Sequence, residues 1–223
     1  MTLCVFDAYG TLFDTGAAVS RLAREPGREA LAEAAPRLAE RWRDKQLAYT
    51  WLRAAAGTHA DFREVTEGAL AWALEAEGLA DEALGEALMA LYDRLDAFPE
   101  AEGALARLRA AGHRAAILSN GTPAMLASAV ESAGIGAHLD AVLSVEEVGV
   151  FKPHPRVYDL VGQRLGVEPG DALFVSANGW DACAAAAYGF RAAWVNRRSE
   201  PVDRLAGRPA HVVADLSAIP DLA

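Results

Sequence analysis

Leu3-Cys4-Val5-Phe6-Asp7-Ala8-Tyr9-Gly10-Thr11-Leu12-Phe13-Asp14 opens the chain with a short apolar run that delivers a carboxylate to a Gly-Thr turn. Four apolar residues in a row read as a strand buried on both faces, the texture of a parallel sheet. Ligands of open parallel sheets bind outside the carboxyl ends of the strands, which is where Asp7 falls. A second Asp two residues on would point to phosphate and metal chemistry, but that position is Tyr9.

Beyond this turn the chain shows two textures. Residues 17–95 read as helical throughout. Leu31, Leu38, Trp42 and Leu52, and then Leu70, Leu74, Leu84, Leu88, Leu91 and Leu95, recur at helical spacing between charges, with Gly57, Gly78 and Gly85 as punctuation. After Phe98-Pro99 strands and helices alternate. Residues 115–121, 139–145, 172–176, 192–196 and 211–213 read as strands. Pro123 opens one helix, Pro153 and Pro155 precede a second, and the Ala-rich stretch after Asp181 forms a third. Such alternation implies a parallel sheet covered by helices on both faces. The fold class is therefore α/β. A Rossmann-like catalytic core is expected from residues 1–15 and 98–223. A helical cap inserted at 16–97 is expected to sit over the carboxyl edge of the sheet, and a cleft between core and cap is a natural ligand site.

Composition narrows the function classes. A chain of 223 residues holds one domain with a large insertion or two small domains, and 52% hydrophobic content rules out disorder. No apolar run reaches membrane-span length, and the N-terminus lacks the basic region of a secretory signal, so a cytoplasmic protein is expected. A formal net charge of −10 argues against a nucleic-acid partner. Cys4 and Cys183 read as small core residues of a reduced protein. The histidines lack metal-ligand spacing, and there is neither a Gly-x-Ser-x-Gly elbow nor a Gly-rich phosphate loop.

Four strand ends carry polar groups: Asp7 to Thr11, Ser119-Asn120, Lys152, and Ser176 to Asp181. Singly, each reads as a turn-former, a helix cap or a solvated charge. A parallel sheet brings all four to one edge, and capping does not explain the set. In this order and spacing they resemble the four motifs of the haloacid dehalogenase superfamily, over nearly the whole chain. Most members are magnesium-dependent phosphatases with a second Asp two residues after the nucleophile and paired acids four apart in the last motif. Here those places hold Tyr9 and, four before Asp181, Ala177. Trp42-Arg43-Asp44-Lys45-Gln46-Leu47, Lys152-Pro153-His154-Pro155-Arg156-Val157-Tyr158 and Ser176-Ala177-Asn178-Gly179-Trp180-Asp181 look instead like segments of the L-2-haloacid dehalogenases.

That resemblance implies hydrolysis of (S)-2-haloalkanoic acids to (R)-2-hydroxy acids, with no cofactor and no metal. Asp7 is implied as the nucleophile that forms an ester, oriented by Thr11 and kept ionised by Lys152. Arg43 and Asn120 are implied to receive the halide, and Ser119 with nearby loop amides to hold the substrate carboxylate. Asp181, Ser176 and Asn178 are implied to position the hydrolytic water. Asp181 equally suits a helix N-terminus, where the dipole favours a carboxylate. Tyr158 reads either as support for Lys152 or the substrate, or as a helix tyrosine with a buried ring. Ala8, Tyr9, Leu47, Phe62 and Trp180 are implied to line the substrate pocket, although Leu47 and Phe62 equally suit plain core. Asp44 stands where the family usually has Gln and is expected to weaken halide affinity or alter substrate preference. The implied partners are a small halogenated carboxylic acid and its halide product. The family often forms homodimers, and the apolar cap helices offer a surface for one. Alternatives are a superfamily phosphatase with a degenerate magnesium site, a silent binding homologue, and a dehalogenase of fluoroacetate type.

Overall fold

The structure, a computed structural model, describes residues 1–223. Six strands form one parallel sheet: β1 (Leu3–Phe6), β2 (Arg114–Ser119), β3 (Ala141–Ser144), β4 (Ala172–Ser176), β5 (Arg191–Val195) and β6 (His211–Val213). Their order is β3-β2-β1-β4-β5-β6, so β1 is central and hydrogen-bonds on both edges. Every residue of β1 is buried, as its unbroken apolar run requires. The order reverses between β1 and β4. In open α/β sheets the crevice at such a switch point is the usual ligand site. Asp7 follows β1 and the Ser176-Asn178 loop follows β4, so these two flank that crevice.

Four helices fill the expected helical stretch: α1 (Ala17–Leu22), α2 (Glu29–Ala56), α3 (Phe62–Ala76) and α4 (Glu82–Tyr92). In α2 the buried residues are Leu31, Ala34, Leu38, Trp42, Gln46 and Thr50, a stripe of three- and four-residue steps along one face. Leu52 falls off this stripe and is 64% exposed, contrary to its reading as a helix-face residue. Gly57 ends α2 in the left-handed conformation (φ 66°), where the lack of a Cβ matters. Gly85, expected to be a break, lies inside α4. The chain leaves for these helices and returns from them at one place. Asp14 N–H donates to Asp96 O at 3.0 Å, and Phe98 N–H donates to Leu12 O at 2.8 Å.

The remaining helices, α5 (Ala101–Ala110), α6 (Pro123–Ser132), α7 (Pro155–Leu165) and α8 (Gly179–Tyr188), alternate with the strands. Pro123 occupies the first turn of α6 behind the Thr122 cap, as its sequence position predicts. Strand β3 is shorter than the apolar run 139–145 suggests. Asp140 turns its carboxylate to the Ala115 N–H at 2.9 Å, and Val145 starts a 3-10 turn capped by the Ser144 hydroxyl. Cys4 and Cys183 are both free and buried, and burial raises the Cys4 thiol to about 12. No helix is long and apolar enough to cross a membrane.

Candidate active site

Asp7 is 5% exposed, and both its oxygens are engaged. Oδ2 accepts from Thr11 Oγ1 at 3.1 Å and from Asn178 Nδ2 at 2.8 Å, while Oδ1 accepts from Lys152 Nζ at 3.1 Å. The Thr11 hydroxyl in turn accepts from the Ala177 N–H at 2.8 Å. One threonine therefore ties the loop after β1 to the loop after β4. Asn178 is fixed from its other side by the Ser176 hydroxyl, which accepts the Asn178 N–H at 3.1 Å.

Lys152 is 1% exposed and bridges two carboxylates, donating also to Asp181 Oδ2 at 2.9 Å. Tyr158 donates to Asp181 Oδ1 at 2.7 Å. Tyr158 thus reaches Lys152 only through Asp181, and its ring is also buried. Burial alone would lower the Lys152 ammonium, but the charges of Asp181 and Asp7, with their hydrogen bonds, hold it above its ordinary value. Burial raises the Asp181 carboxyl, against the pull of Lys152, and the nearby Asp7 charge raises it further. Asp181 sits in the first turn of α8, where the helix dipole favours a carboxylate.

Arg43 reaches the same place from α2. Its guanidinium contacts Asn178 Oδ1 and approaches Thr15 Oγ1 at 3.5 Å. No ion pair of the chain includes Arg43, so its charge is free for an anion. A Cβ on Gly10 would lie 3.0 Å from Arg43 Nη2, and Gly10 has φ +82°, so both the turn and the approach need glycine. Asn120 Oδ1 accepts the Lys152 N–H at 3.0 Å, which aims its NH2 group the other way. Ser119 Oγ accepts from the Gly121 N–H at 3.1 Å, leaving its own proton available.

These groups surround a cavity of about 20 Å³. Asp7, Ser119, Asn120, Lys152, Asn178 and Arg43 form its polar wall, and Tyr9, Leu47, Phe62 and Trp180 its apolar one. Thr11, Ser176, Asp181 and Tyr158 stand behind this wall. Ala8 is fully buried and does not line the cavity; its carbonyl accepts the N–H groups of Thr11, Leu12 and Phe13, which closes the turn. Tyr9 packs against Phe62 and Tyr92 with ring centroids 5.4 and 5.5 Å apart. Asp44 is exposed and lines no part of the cavity, because one residue along a helix turns about 100° away from Arg43.

Three residues escaped sequence reading. Gln46 lines the cavity and is held by Thr66 Oγ1 at 2.7 Å and Tyr92 OH at 3.2 Å. Its place on the apolar stripe of α2 was the available signal. Thr15 approaches Arg43. Arg197 donates to the carbonyls of Gly10 and Thr11 at 3.1 Å each, pairs with Glu100, and stacks on Phe98 at 3.7 Å. It clamps the Asp7 loop from outside through backbone atoms, which no side-chain motif records.

A divalent cation fits this donor set poorly. The Lys152 ammonium already lies between the Asp7 and Asp181 carboxylates, residue 177 offers only a methyl group, and no cluster of three or more His, Cys, Asp or Glu has metal-ligand proximity.

Residues 1–189 match the family model described as hydrolase, haloacid dehalogenase-like hydrolase. The chain is 41% identical over 220 residues to (S)-2-haloacid dehalogenase 1 of Pseudomonas sp. (strain CBS-3), covering 98% of this chain and 95% of the relative. It is 46% identical over 198 residues to the (S)-2-haloacid dehalogenase of Xanthobacter autotrophicus, covering 88% and 75%. A solved structure of the L-2-haloacid dehalogenase from Xanthobacter autotrophicus with chloropropionic acid covalently bound superimposes with a TM-score of 0.90 at 39% identity, covering 100% of this chain and 98% of that one.

Proposed function

The chain belongs to the haloacid dehalogenase-like hydrolases, in the family of (S)-2-haloacid dehalogenases, and on that premise we propose that it hydrolyses (S)-2-haloalkanoic acids to (R)-2-hydroxy acids through an ester on Asp7. The observation that carries this reading is the division of labour between the two Asp7 oxygens. Oδ2 accepts two hydrogen bonds and has its lone pairs engaged, whereas Oδ1 accepts one, from Lys152, and keeps a lone pair for attack. Oδ1 forms a bond to the substrate α-carbon as the carbon–halogen bond breaks. The halide leaves with the bonding pair, and the centre inverts.

An anionic nucleophile and an anionic substrate repel by about 1 kcal/mol at 4 Å in water and about 4 at an effective dielectric of 20. Lys152 and the unpaired Arg43 offset this. Arg43 with the Asn120 NH2 group receives the halide, and the Ser119 hydroxyl with adjacent loop amides holds the substrate carboxylate. Tyr9, Leu47, Phe62 and Trp180 enclose the alkyl group and halogen and keep out stray water.

In the second step water attacks the Asp7 carboxyl carbon. Thr11 and Asn178 already donate to Oδ2, which is where charge develops in the tetrahedral intermediate, so they serve as its oxyanion hole. Asp181, with its raised proton affinity, takes the proton of a water positioned with Ser176 and Asn178; each of its oxygens keeps a second lone pair beside the bonds from Lys152 and Tyr158. The bond from the Asp7 carboxyl carbon to Oδ1 breaks, Asp181 returns its proton to Oδ1 as the hydroxy acid departs with it, and the proton left on the re-formed Asp7 carboxyl passes to solvent. The inversion of the first step is kept.

A cavity of about 20 Å³ holds about one water. Substrate entry therefore requires the helical segment 16–97 to move as a cap on the core of 1–15 and 98–223, about the paired crossings at 12–14 and 96–98. Cytoplasmic residence and a homodimer through the apolar cap helices belong to the same reading and rest on the sequence.

A halide-release assay tests the proposal with (S)- and (R)-2-chloropropionate, chloroacetate and fluoroacetate, with and without chelator. Chloride release from the S isomer, unaffected by chelation, is the expected result. Release from the R isomer alone, or loss of activity on chelation, would overturn it.

A further inference from the structure

The cavity at Asp7 is not the only space that Trp180 borders. Trp180 also lines an open, mostly apolar pocket of about 670 Å³, walled by Trp51, Ala54 and Ala55 of α2 and by Phe151, Pro153 and Leu205, with His154, Asp203 and Arg204 completing the wall. Its volume is within the roughly 300–1,000 Å³ typical of small-molecule sites. Trp180 is the one residue that faces both spaces. The two spaces therefore meet at Trp180.

The half-buried Trp180 is held differently from the two buried indoles. Trp42 Nε1 donates to Thr66 O at 3.0 Å, and Trp194 Nε1 donates to Ala177 O at 3.2 Å. Trp180 Nε1 is buried and has no partner. Only packing holds the ring, including an edge-on contact with Trp51 at 5.5 Å between centroids. A rotation of Trp180 therefore breaks no hydrogen bond of its indole.

We propose that the outer pocket is an acyl-chain subsite and Trp180 the movable partition in front of it, so that the protein takes (S)-2-haloacids with chains well beyond propionate. This rests on the Asp7 reading above. The occupant is the alkyl tail of a bound haloacid, because the carboxylate and halogen are held at Asp7 and the apolar pocket that shares Trp180 with the reaction cavity offers room for carbons beyond the third. Each methylene moved from water into an apolar site favours binding by roughly fourfold. The cost of moving Trp180 falls once, on the first carbons that reach it.

The test measures KM and kcat for (S)-2-bromo acids of propionate, butyrate, hexanoate and octanoate, in the wild type and in Ala55→Trp. Ala55 is exposed on α2 and remote from Asp7, so its replacement fills the outer pocket without touching the reacting groups. In the wild type KM is expected to fall roughly two- to fourfold per methylene from butyrate onward. In Ala55→Trp the propionate parameters should stay unchanged and the trend should flatten. Trp180→Ala should lose more activity on propionate than on octanoate. Turnover of bromopropionate without turnover of the longer acids, or the same chain-length trend in Ala55→Trp as in the wild type, would overturn the subsite while leaving the Asp7 reading intact. No bromide from any acid would overturn both.

Discussion

Replacing Lys152 by Met removes the one cation between two buried carboxylates. The ammonium stands 3.1 Å from Asp7 and 2.9 Å from Asp181, all three groups being nearly inaccessible to water. Each contact is worth about 5 kcal/mol at an effective dielectric of 20, a gain offset by the desolvation of the lysine. Without Lys152, Asp7 and Asp181 cannot both remain charged, and Asp181, already raised by burial and by the Asp7 charge, takes a proton. Keeping a carboxyl of ordinary unfolded pKa, about 3.9, protonated costs about 4 kcal/mol at pH 7 and about 1.5 at pH 5. In the variant the folded state then binds one more proton than the unfolded chain above that value. Its stability relative to wild type should therefore fall by about 1.4 kcal/mol per pH unit from pH 5 to pH 7 and recover on acidification. Urea denaturation of both proteins across that range measures the slope, and halide release should drop by roughly 100- to 1,000-fold. A loss of stability that is the same at pH 5 and pH 7 would show that no proton replaces the ammonium, and the picture of one cation shared by two carboxylates would fail.

Thr11→Val removes the hydroxyl that joins Asp7 Oδ2 to the Ala177 N–H; it should cost about 1–3 kcal/mol in urea denaturation and lower kcat more than it changes KM. Gly121→Ala places a methyl 2.7 Å from the Tyr9 ring and 3.1 Å from Leu126, so Tyr9 must shift into the substrate space; a loss of about 1–3 kcal/mol by thermal denaturation, with a raised KM, is expected. Asp44→Gln should leave stability within about 0.5 kcal/mol and chloride release within about twofold, because Asp44 is exposed and lines no part of the cavity.

Residues whose partners are fixed by strand order could be read from the sequence. An apolar run ending in Asp7, another in Ser119 and another in Ser176 specify buried parallel strands, and parallel strands bring their ends to one edge. Arg43 was legible through its resemblance to a cap-helix segment, and Leu47 and Phe62 are indeed at the cavity. What the sequence hid depends on tertiary approach. Arg197 acts on backbone carbonyls of Gly10 and Thr11, nearly the whole chain away. Gln46 looks like a solvated helix polar until the stripe of α2 turns it inward. The direction of Asp44 follows from helical phase, which adjacency to Arg43 does not reveal. The outer pocket exists because residues 51–55 meet residues 203–205, and no local pattern announces that meeting.

The central proposal is that water attacks the carboxyl carbon of Asp7 and not the substrate carbon. A single turnover of (S)-2-chloropropionate by excess protein in heavy-oxygen water, followed by mass analysis of the Asp7 peptide and of the lactate, separates the two. The heavy oxygen is expected in the Asp7 carboxylate, with none in the product; heavy oxygen in the lactate and an unlabelled Asp7 would mean direct displacement by water and would remove the ester from the mechanism.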